Sequence, residues 1–381
     1  MKPSPPALVF DCDRQDAVFR PAFQLLERGI PERAFPGATL AVTHQGRLVA
    51  LKGIGRFTYE PDSPVVTAET IYDLASVTKA VATTAVAMVL FDRGLLQLEM
   101  PLAELLPEFA QPSISDAAGA DRNRVTLRML LAHSSGLPAY ARLFEQVRGR
   151  EAMLRTACSL PLEALPGTRA EYSDIGFLLL GEAVARLAGA SLSNLAEREV
   201  FSPLGMHATM FRPPETLRPE IPPTERTNDG EVVQGIVHDE NARAFGVDQQ
   251  TGQLVTDAAH AGVFAPALDL ARFAHAMLNG GAPIVSRETV RLFTQRETLP
   301  PNTSRALGWD TPSPPSQSGR YFSPHSYGHL GFTGTSIWID PERLLSVTLL
   351  TNRTWPDRSS QLIKTIRPAF HDAVVQALSA R

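Results

Sequence analysis

The sequence feature that most constrains the fold is the segment 76–94, in which a lysine lies within an almost continuous apolar run. Ser76-Val77-Thr78-Lys79 is followed by residues that are apolar nearly all round as far as Arg93, and Gly94 then supplies a helix stop. A helix that is apolar on every side is buried. The spacing of three places the Ser76 and Lys79 side chains on one helix face, within hydrogen-bonding distance.

A lysine in that position predicts chemistry more strongly than the short pattern does. Ser-x-x-Lys alone is expected about once by chance in a chain of this length. This chain, however, carries its positive charge almost wholly on arginine, with lysine only at positions 2, 52, 79 and 364. A buried ammonium either loses its proton or acquires a partner. A neutral lysine beside a serine is a general base beside a nucleophile.

Composition limits the classes of partner. The 381 residues are 44% hydrophobic and 20% charged, with a formal net charge of −4, and nothing in that balance indicates nucleic acid or an anionic membrane surface. Cys12 and Cys158 form neither a metal-type cluster nor a disulfide framework, and no metal or other cofactor is expected. No segment is long and apolar enough to span a bilayer. Residues 1–20 hold no signal-peptide core, so we expect a cytoplasmic protein, or a periplasmic or secreted one if a leader was removed.

The order of the predicted elements indicates the fold class. Segments 38–42 and 48–51 have strand character and precede the serine helix, and segments 336–339 and 345–350 have it near the other end. Residues 95 to about 240 are predicted to be largely helical. We therefore expect an α+β fold with an antiparallel sheet built from both chain ends, flanked by helices and carrying a mostly helical insertion. The predicted helices cover 15–28, 76–93, 125–133, 175–187, 192–200, 268–278 and 361–378.

In terms of domains, this predicts one catalytic unit, 1–381. Its sheet-containing subdomain comprises 1–94 and 241–381, and its helical subdomain comprises 95–240. The sequence gives no indication of the oligomeric state.

Four polar segments outside the serine helix are candidates for function. Tyr172-Ser173-Asp174 precedes an apolar helix, so Ser173 or Asp174 can cap that helix while Tyr172 points into a cleft. The segment 328–336 contains three glycines, which suit either close approach to a ligand or a tight turn into a strand. The segment 238–241, His-Asp-Glu-Asn, offers too few metal ligands and is interpreted as a loop forming a pocket wall. Ser134-Ser135 is interpreted as a structural helix end.

Taken in order, three of these motifs resemble those of the serine β-lactamase and penicillin-binding-protein superfamily. They are Ser76-Val77-Thr78-Lys79, Tyr172-Ser173-Asp174 and His329-Leu330-Gly331. Their order and spacing are similar to the class C β-lactamase, DD-peptidase and β-lactamase-related esterase branch. Further landmarks of the same branch lie at 130–138, 203–206, 237–242 and 350–353, and the resemblance covers about residues 35–355.

The resemblance implies a serine acyl-enzyme mechanism. Ser76 would attack a carbonyl, Lys79 would take its proton, and Tyr172 would relay that proton to the leaving group. The backbone N–H groups of Ser76 and Phe332 would form the oxyanion hole. Asp174, His329, Leu330 and Gly331 would line the substrate pocket.

The third motif departs from the pattern of true β-lactamases, which usually reads Lys-Thr-Gly. Here His329 titrates near neutrality in its ordinary state and Leu330 has no hydroxyl, so a β-lactam carboxylate is expected to bind weakly. Asp174 also replaces the asparagine of many members. The sequence therefore favours a hydrolase of small esters, amides or short peptides. The alternatives are a β-lactamase or DD-carboxypeptidase acting on β-lactams or D-Ala-D-Ala peptides, and a non-catalytic binding or scaffold module on the same fold.

Overall fold

The main sheet is assembled from the two ends of the chain. The structure, a computed structural model, describes residues 7–111, 116–117, 120–248, 250–253 and 255–379. Its strands are β1 Val9–Phe10, β2 Gly37–His44, β3 Arg47–Gly55, β4 Tyr72–Asp73, β5 Met210–Phe211, β6 Glu225–Arg226, β7 Val232–Val233, β8 Val263–Ala265, β9 Tyr327–Leu330, β10 Ser336–Asp340 and β11 Leu345–Thr351. Six of them form the main sheet in the order β1-β3-β2-β11-β10-β9, so early strands lie beside late ones. A smaller sheet has the order β4-β8-β5, and β6 pairs with β7.

The central pairing joins β2 to β11 in antiparallel register, with Leu40 opposite Leu349. This confirms the predicted sheet and its composition from both chain ends. One strand departs from the antiparallel expectation, because β1 pairs with β3 in parallel, Val9 opposite Arg47. A parallel pair needs a crossover connection, and the helices between β1 and β2 provide it.

Helices cover both faces of the sheet and enclose two separate cores. They are α1 Gln15–Val18, α2 Arg20–Gly29, α3 Ala85–Asp92, α4 Leu102–Leu105, α5 Leu127–Leu131, α6 Arg150–Ser159, α7 Asp174–Ala188, α8 Leu192–Ala196, α9 Glu240–Gly246, α10 Ala267–Leu278, α11 Arg287–Thr294 and α12 Ile363–Ser379. Successive side chains of a strand point to opposite faces of the sheet. Leu40 and Val42 of β2 therefore face α2 and α12, whereas Ala41 faces the core around α3 and α10.

The serine helix is buried, as predicted. Its first part, Lys79–Thr84, is π-helical and continues into α3, and Gly94 follows with a φ of 72°. Single π-helical turns are frequent at functional sites. Thr83 Oγ1 donates to the carbonyl of Ala259 at 2.6 Å, which fixes the helix against the segment preceding β8.

The inserted region, 95–240, contains α4–α8, short 3₁₀ and π-helical turns and the three short strands β5, β6 and β7. The helix predicted over 125–133 is shorter: Thr126 caps it, it ends at Leu131, and His133 lies beyond it with a φ of 55°. The helix predicted over 175–187 is α7, with Ser173 as its N-cap. The helix predicted over 192–200 is α8 followed by a π-helical turn, Glu197–Phe201. The boundaries proposed for the two subdomains remain predictions.

Within the described ranges, no single helix is long and apolar enough to cross a membrane. Among the described residues, α7 and the helical segment 192–204 taken together would pass by length and composition alone, but they are bent by 72° relative to each other.

Candidate active site

Ser76 lies at the entrance of the buried helix, on the wall of a cavity of about 880 Å³. Strand β4 leads to it, and Ala75 adopts a left-handed conformation with a φ of 46°. The buried carboxylate of Asp73 accepts the N–H of Ala75 at 2.8 Å and that of His238 at 2.6 Å. Asp73 therefore holds the turn that presents Ser76 to the cavity.

Lys79 is fully buried and its ammonium has three acceptors. Its Nζ donates to Ser76 Oγ at 3.0 Å, to Asp174 Oδ1 at 2.6 Å and to the carbonyl of His260 at 2.8 Å. Burial lowers the pKa of Lys79. The negative charge of Asp174 and the interaction with Tyr172 together raise it by more than burial lowers it, so the pKa lies above its ordinary value. Of the two outcomes that the sequence left open for a buried ammonium, loss of its proton or a partner, the resting site has the partner. The sequence pattern did not reveal that this partner is the Asp174 carboxylate.

Tyr172 completes the group around Ser76. Lys79 Nζ lies 4.9 Å from the centre of the Tyr172 ring, and interactions of the tyrosine hydroxyl with Lys79 and Ser76 lower its pKa. Burial raises the pKa of Tyr172 more than Lys79 lowers it, so the phenol carries its proton at rest. The structure thus brings together the serine, lysine and tyrosine that the first two motifs suggested.

His133 supports the tyrosine segment, a role that was not recognised in the sequence. Its ring lies 4.6 Å from that of Tyr172, and its Nδ1 accepts the N–H of Ser173 at 3.0 Å. Burial and the nearby charges of Arg305 and Lys79 hold the pKa of His133 well below its ordinary value, so the ring is neutral. Ser173 in turn accepts the N–H of Gly176 at 2.9 Å as the cap of α7. Ser134 and Ser135 are buried and do not line the cavity.

The turn between β9 and β10 is joined directly to the segment that precedes Ser76. Thr333 Oγ1 donates to the carbonyl of Asp73 and Thr335 Oγ1 to that of Leu74, both at 2.8 Å. A Cβ on Gly331 would come within 2.0 Å of Thr335 Oγ1 and 2.4 Å of the Leu74 carbonyl, so this close approach requires glycine.

The turn also brings Phe332 to the cavity that Ser76 lines. Among the described residues, no acceptor is hydrogen-bonded to the N–H of Ser76 or to that of Phe332. This leaves both amides available for the oxyanion role that the resemblance implied, which remains a prediction.

The third motif supplies no charge. Burial, together with the charges of Lys79 and Arg305, lowers the pKa of His329 to about 3, although its hydrogen bond to the Leu330 carbonyl opposes that shift. Its Nδ1 donates to that carbonyl at 2.8 Å. The expectation that His329 titrates near neutrality is therefore wrong, because the sequence did not show that the ring would be buried. Leu330 and Gly331 also line the cavity.

The segment 238–240 forms part of the cavity wall, as interpreted from the sequence. Asp239 caps α9 and contacts His260 Nε2 at 2.8 Å. His260 had no recognisable signal in the sequence, although its backbone carbonyl accepts from Lys79. In the part of the chain that the structure describes, no group of three or more His, Cys, Asp or Glu side chains is placed to hold a metal ion.

Arginines contribute much of the remaining cavity wall. Arg305 lies with its guanidinium carbon 5.4 Å from the centre of the Tyr172 ring and contacts Asp310 at 3.4 Å. Arg353 lies 4.5 Å over the Phe332 ring, and Arg367 lines the same cavity. Arg353 was noted in the sequence only as part of a family landmark.

Comparison with known proteins agrees with this geometry. The sequence model of the Beta-lactamase family matches residues 20–367. A protein of Bacillus subtilis (strain 168) named "N-acetylmuramyl-L-alanine amidase" is 32% identical over 364 residues, covering 87% of this chain and 80% of that protein. Two solved structures share the fold at 20% identity, each with a TM-score of 0.73. The first is "EstCE1, a hydrolase with promiscuous acyltransferase activity"; the superposition covers 94% of this chain and 99% of that chain. The second is a penicillin-binding-protein homologue from Caulobacter crescentus; the superposition covers 96% of this chain and 98% of that chain.

Proposed function

We propose that this chain, which belongs to the beta-lactamase family of serine hydrolases, cleaves small esters, amides or short peptides through an acyl-enzyme on Ser76. The observation that carries the proposal is the contact of Lys79 Nζ with Ser76 Oγ at 3.0 Å on the wall of the cavity, with the Tyr172 side chain adjacent to both. A nucleophile, a base and a proton donor in mutual contact are what acyl transfer requires.

In the proposed reaction, neutral Lys79 takes the proton of Ser76 as Oγ bonds to the substrate carbonyl carbon. The negative charge that develops on the carbonyl oxygen is stabilised by the N–H groups of Ser76 and Phe332. Tyr172 then gives its proton to the leaving group as that bond breaks, and it recovers one through Lys79. Water attacks the acyl-enzyme by the same steps in reverse.

The resting charges determine how often the reactive form occurs. Because Asp174 and Tyr172 hold Lys79 as an ammonium, the neutral base is the minor species at neutral pH. Its population grows as the pH rises towards the pKa of Lys79, so activity is expected to increase into the alkaline range.

The proposal is tested by intact-mass detection of an acyl adduct after brief exposure to neutral 4-nitrophenyl esters. Wild-type protein is expected to gain one acyl group on Ser76, and Ser76→Ala none. Lys79→Arg is expected to lose nearly all turnover, since a guanidinium does not deprotonate at working pH. Full activity in Ser76→Ala, or labelling of Ser134 or Ser135 instead, would contradict the assignment. Absence of any adduct across esters, β-lactams and D-amino-acid peptides would favour the binding-module alternative.

A further inference from the structure

The charges that line the cavity do not balance. Each of its described acidic side chains has a cationic or imidazole partner within the protein. These pairs are Asp174 with Lys79, Asp239 with His260, Glu240 with Arg358, and Asp310 with Arg305. On the side of the cavity next to Phe332, Arg353 and Arg367 differ: among the described residues, no carboxylate oxygen lies within 4.0 Å of either guanidinium.

Both of these arginines are buried, with exposed fractions of 6% for Arg353 and 3% for Arg367. Burial and the positive charge of Arg353 lower the pKa of Arg367 to about 9. Burial and the charge of Arg358 likewise lower the pKa of Arg353. Buried charges are normally paired, and neighbouring buried cations without an anion are costly to maintain.

Hydrogen bonds to neutral acceptors of the protein use only part of the two guanidinium groups. Arg353 donates from Nε to the Phe332 carbonyl at 2.7 Å and from Nη1 to the carbonyls of Ser360 and Arg358 at 3.0 and 3.4 Å. Arg367 donates from Nη2 to the carbonyls of Gly334 and Thr335 at 3.0 and 3.5 Å and from Nη1 to Gln317 Oε1 at 2.9 Å. Arg367 Nε is buried and has no acceptor. Anchoring the turn 332–335 and the segment 358–360 explains the carbonyl contacts, but it explains neither the unused donor nor the missing negative charge.

We propose that Arg353 and Arg367 form a subsite for a carboxylate carried by the substrate. The inference rests on the proposed function and narrows its substrate class to esters, amides or peptides with an anionic end. A carboxylate suits the site because a guanidinium presents paired, positively charged donors to it. A substrate group is favoured over a free ion because both arginines line the cavity that Ser76 lines, and both bind the turn that carries the Phe332 N–H.

The test compares matched substrates with and without a carboxylate. Mono-4-nitrophenyl glutarate and adipate place the charge in the acyl group, with 4-nitrophenyl butyrate as the neutral reference. Acetoxybenzoates place it in the leaving group, with phenyl acetate as reference. In wild type, at least one carboxylated substrate is expected to exceed its reference in kcat/KM by roughly ten- to a hundredfold, mainly through KM. That ratio should fall close to one in Arg367→Gln and in Arg353→Gln.

Arg47→Gln is the matched control, because it removes one positive charge from an exposed arginine paired with Asp11 outside the cavity. It should leave the ratio unchanged. An equal loss on neutral and carboxylated substrates in the two cavity variants would show that the arginines only hold the turn, and would overturn the proposal. A wild-type ratio near one for every pair would also overturn it.

Two further measurements test the carboxylate subsite even if the variants do not fold or no ester is turned over. Sulfate should compete with the carboxylated substrate of wild type and not with its neutral reference. Sulfate binding without any carboxylate preference would indicate a free inorganic anion and overturn the proposal. In Ser76→Ala, monomethyl glutarate should bind more tightly than methyl butyrate by ligand-observed NMR. This result does not depend on catalysis, so it separates failure of the subsite from failure of the proposed reaction.

Discussion

At the scale of single residues, Asp174 determines the protonation of Lys79. The two side chains lie 2.6 Å apart, and the exposed fraction of Lys79 is zero while that of Asp174 is 18%. An adjacent anion favours the charged form of an amine. Burial is the largest single effect on the pKa of Lys79 and lowers it, but the charge and hydrogen bond of Asp174 together with the interaction with Tyr172 raise it by more. The carboxylate therefore secures the lysine in place but reduces the fraction that can act as a base.

Asp174→Asn should move the rising limb of the pH profile of kcat/KM to lower pH. Without the neighbouring anion, burial dominates and the pKa of Lys79 falls, so more of the base is neutral at a given pH. Asp310→Asn is a suitable control because Asp310 lines the same cavity but contacts Arg305 instead of Lys79. If the rising limb stays in place in Asp174→Asn, or moves equally in both variants, Asp174 does not control the pKa of Lys79.

Asp73 gives a second pH dependence. Burial and the charge of Asp239 raise the pKa of this carboxyl to about 6, although Arg243 and the N–H groups of Ala75 and His238 lower it. Since its folded-state pKa lies above the ordinary value of 3.8, the ionised form costs stability as the pH rises through about 6. That cost is understandable if the carboxylate is needed to hold the turn before Ser76.

Protonation of Asp73 removes one acceptor for the Ala75 and His238 amides, so wild-type activity should decline more steeply below about pH 6 than the loss of neutral Lys79 alone would cause. Asp73→Asn should abolish this steeper acidic limb and lower kcat at neutral pH by about tenfold, the effect of losing one bond to a charged group. The measurement is the pH profile of kcat from weakly acidic to neutral pH. Asp269→Asn alters another buried carboxylate, which bonds to Ala208 and Thr209, and should retain the limb.

Sequence proximity decided which of these residues could be predicted. Ser76 and Lys79 are three positions apart on one helix, so their contact follows from helical geometry. Asp174 is 95 positions from Lys79 and His260 is 181. Their contacts with the ammonium depend on how α7 and the segment before β8 pack, which no local pattern specifies.

At the scale of structural elements, the turn between β9 and β10 couples the sheet to the nucleophile. Gly331 N–H donates to the Thr335 carbonyl at 2.8 Å, while the threonine hydroxyls in the turn reach back to residues 73 and 74. The three glycines of the segment 328–336 were expected to permit either close approach to a ligand or a tight turn into a strand. The structure shows that the partner of Gly331 is the backbone before Ser76.

Gly331→Ala should lower kcat by about two orders of magnitude, the effect of losing one oxyanion-hole donor. The added methyl group would meet the Leu74 carbonyl and push the Phe332 amide away from the cavity. Gly94→Ala is the control for stability alone: its φ is 72°, and a Cβ there has nothing within 4 Å. That variant should lose about 1 kcal/mol of unfolding free energy and keep its kcat. Comparable kcat values in the two variants would contradict the role assigned to the turn.

Element boundaries were harder to predict than element types. Apolar periodicity continues through Ala132, yet α5 ends at Leu131 because His133 turns into the left-handed region and Ser134 N–H returns to the Met129 carbonyl at 2.7 Å. The tertiary contact of His133 with the tyrosine segment accompanies this early end. Such a contact is invisible to a pattern within the helix itself.

At the scale of the whole molecule, the main sheet separates a core that bears the site from one that does not. Leu26, on α2, belongs to the core on the α2 and α12 face. Phe177, on α7, belongs to the opposite core and lies 4.9 Å from the ring of His133 and 5.7 Å from Lys79 Nζ. Both side chains are fully buried. The sheet order was predictable in outline because strand signals lie at both chain ends. Which face of the sheet carries the active site could not be predicted, because it depends on which helices pack against each face.

This division predicts different consequences for two cavity-forming substitutions. Leu26→Ala should lower the free energy of unfolding by about 2–5 kcal/mol, and Phe177→Ala by about 3–5 kcal/mol, as buried truncations generally do. At a temperature where both variants remain folded, Leu26→Ala should keep the wild-type kcat/KM, because the sheet lies between the new cavity and Ser76. Phe177→Ala should lose activity as well, because the rings of His133 and Tyr172 would no longer be held against α7. Urea unfolding and steady-state kinetics on the same preparations measure the two effects. An equal fall of kcat/KM in both folded variants would show that the two cores act as one unit and that the site depends on the whole fold.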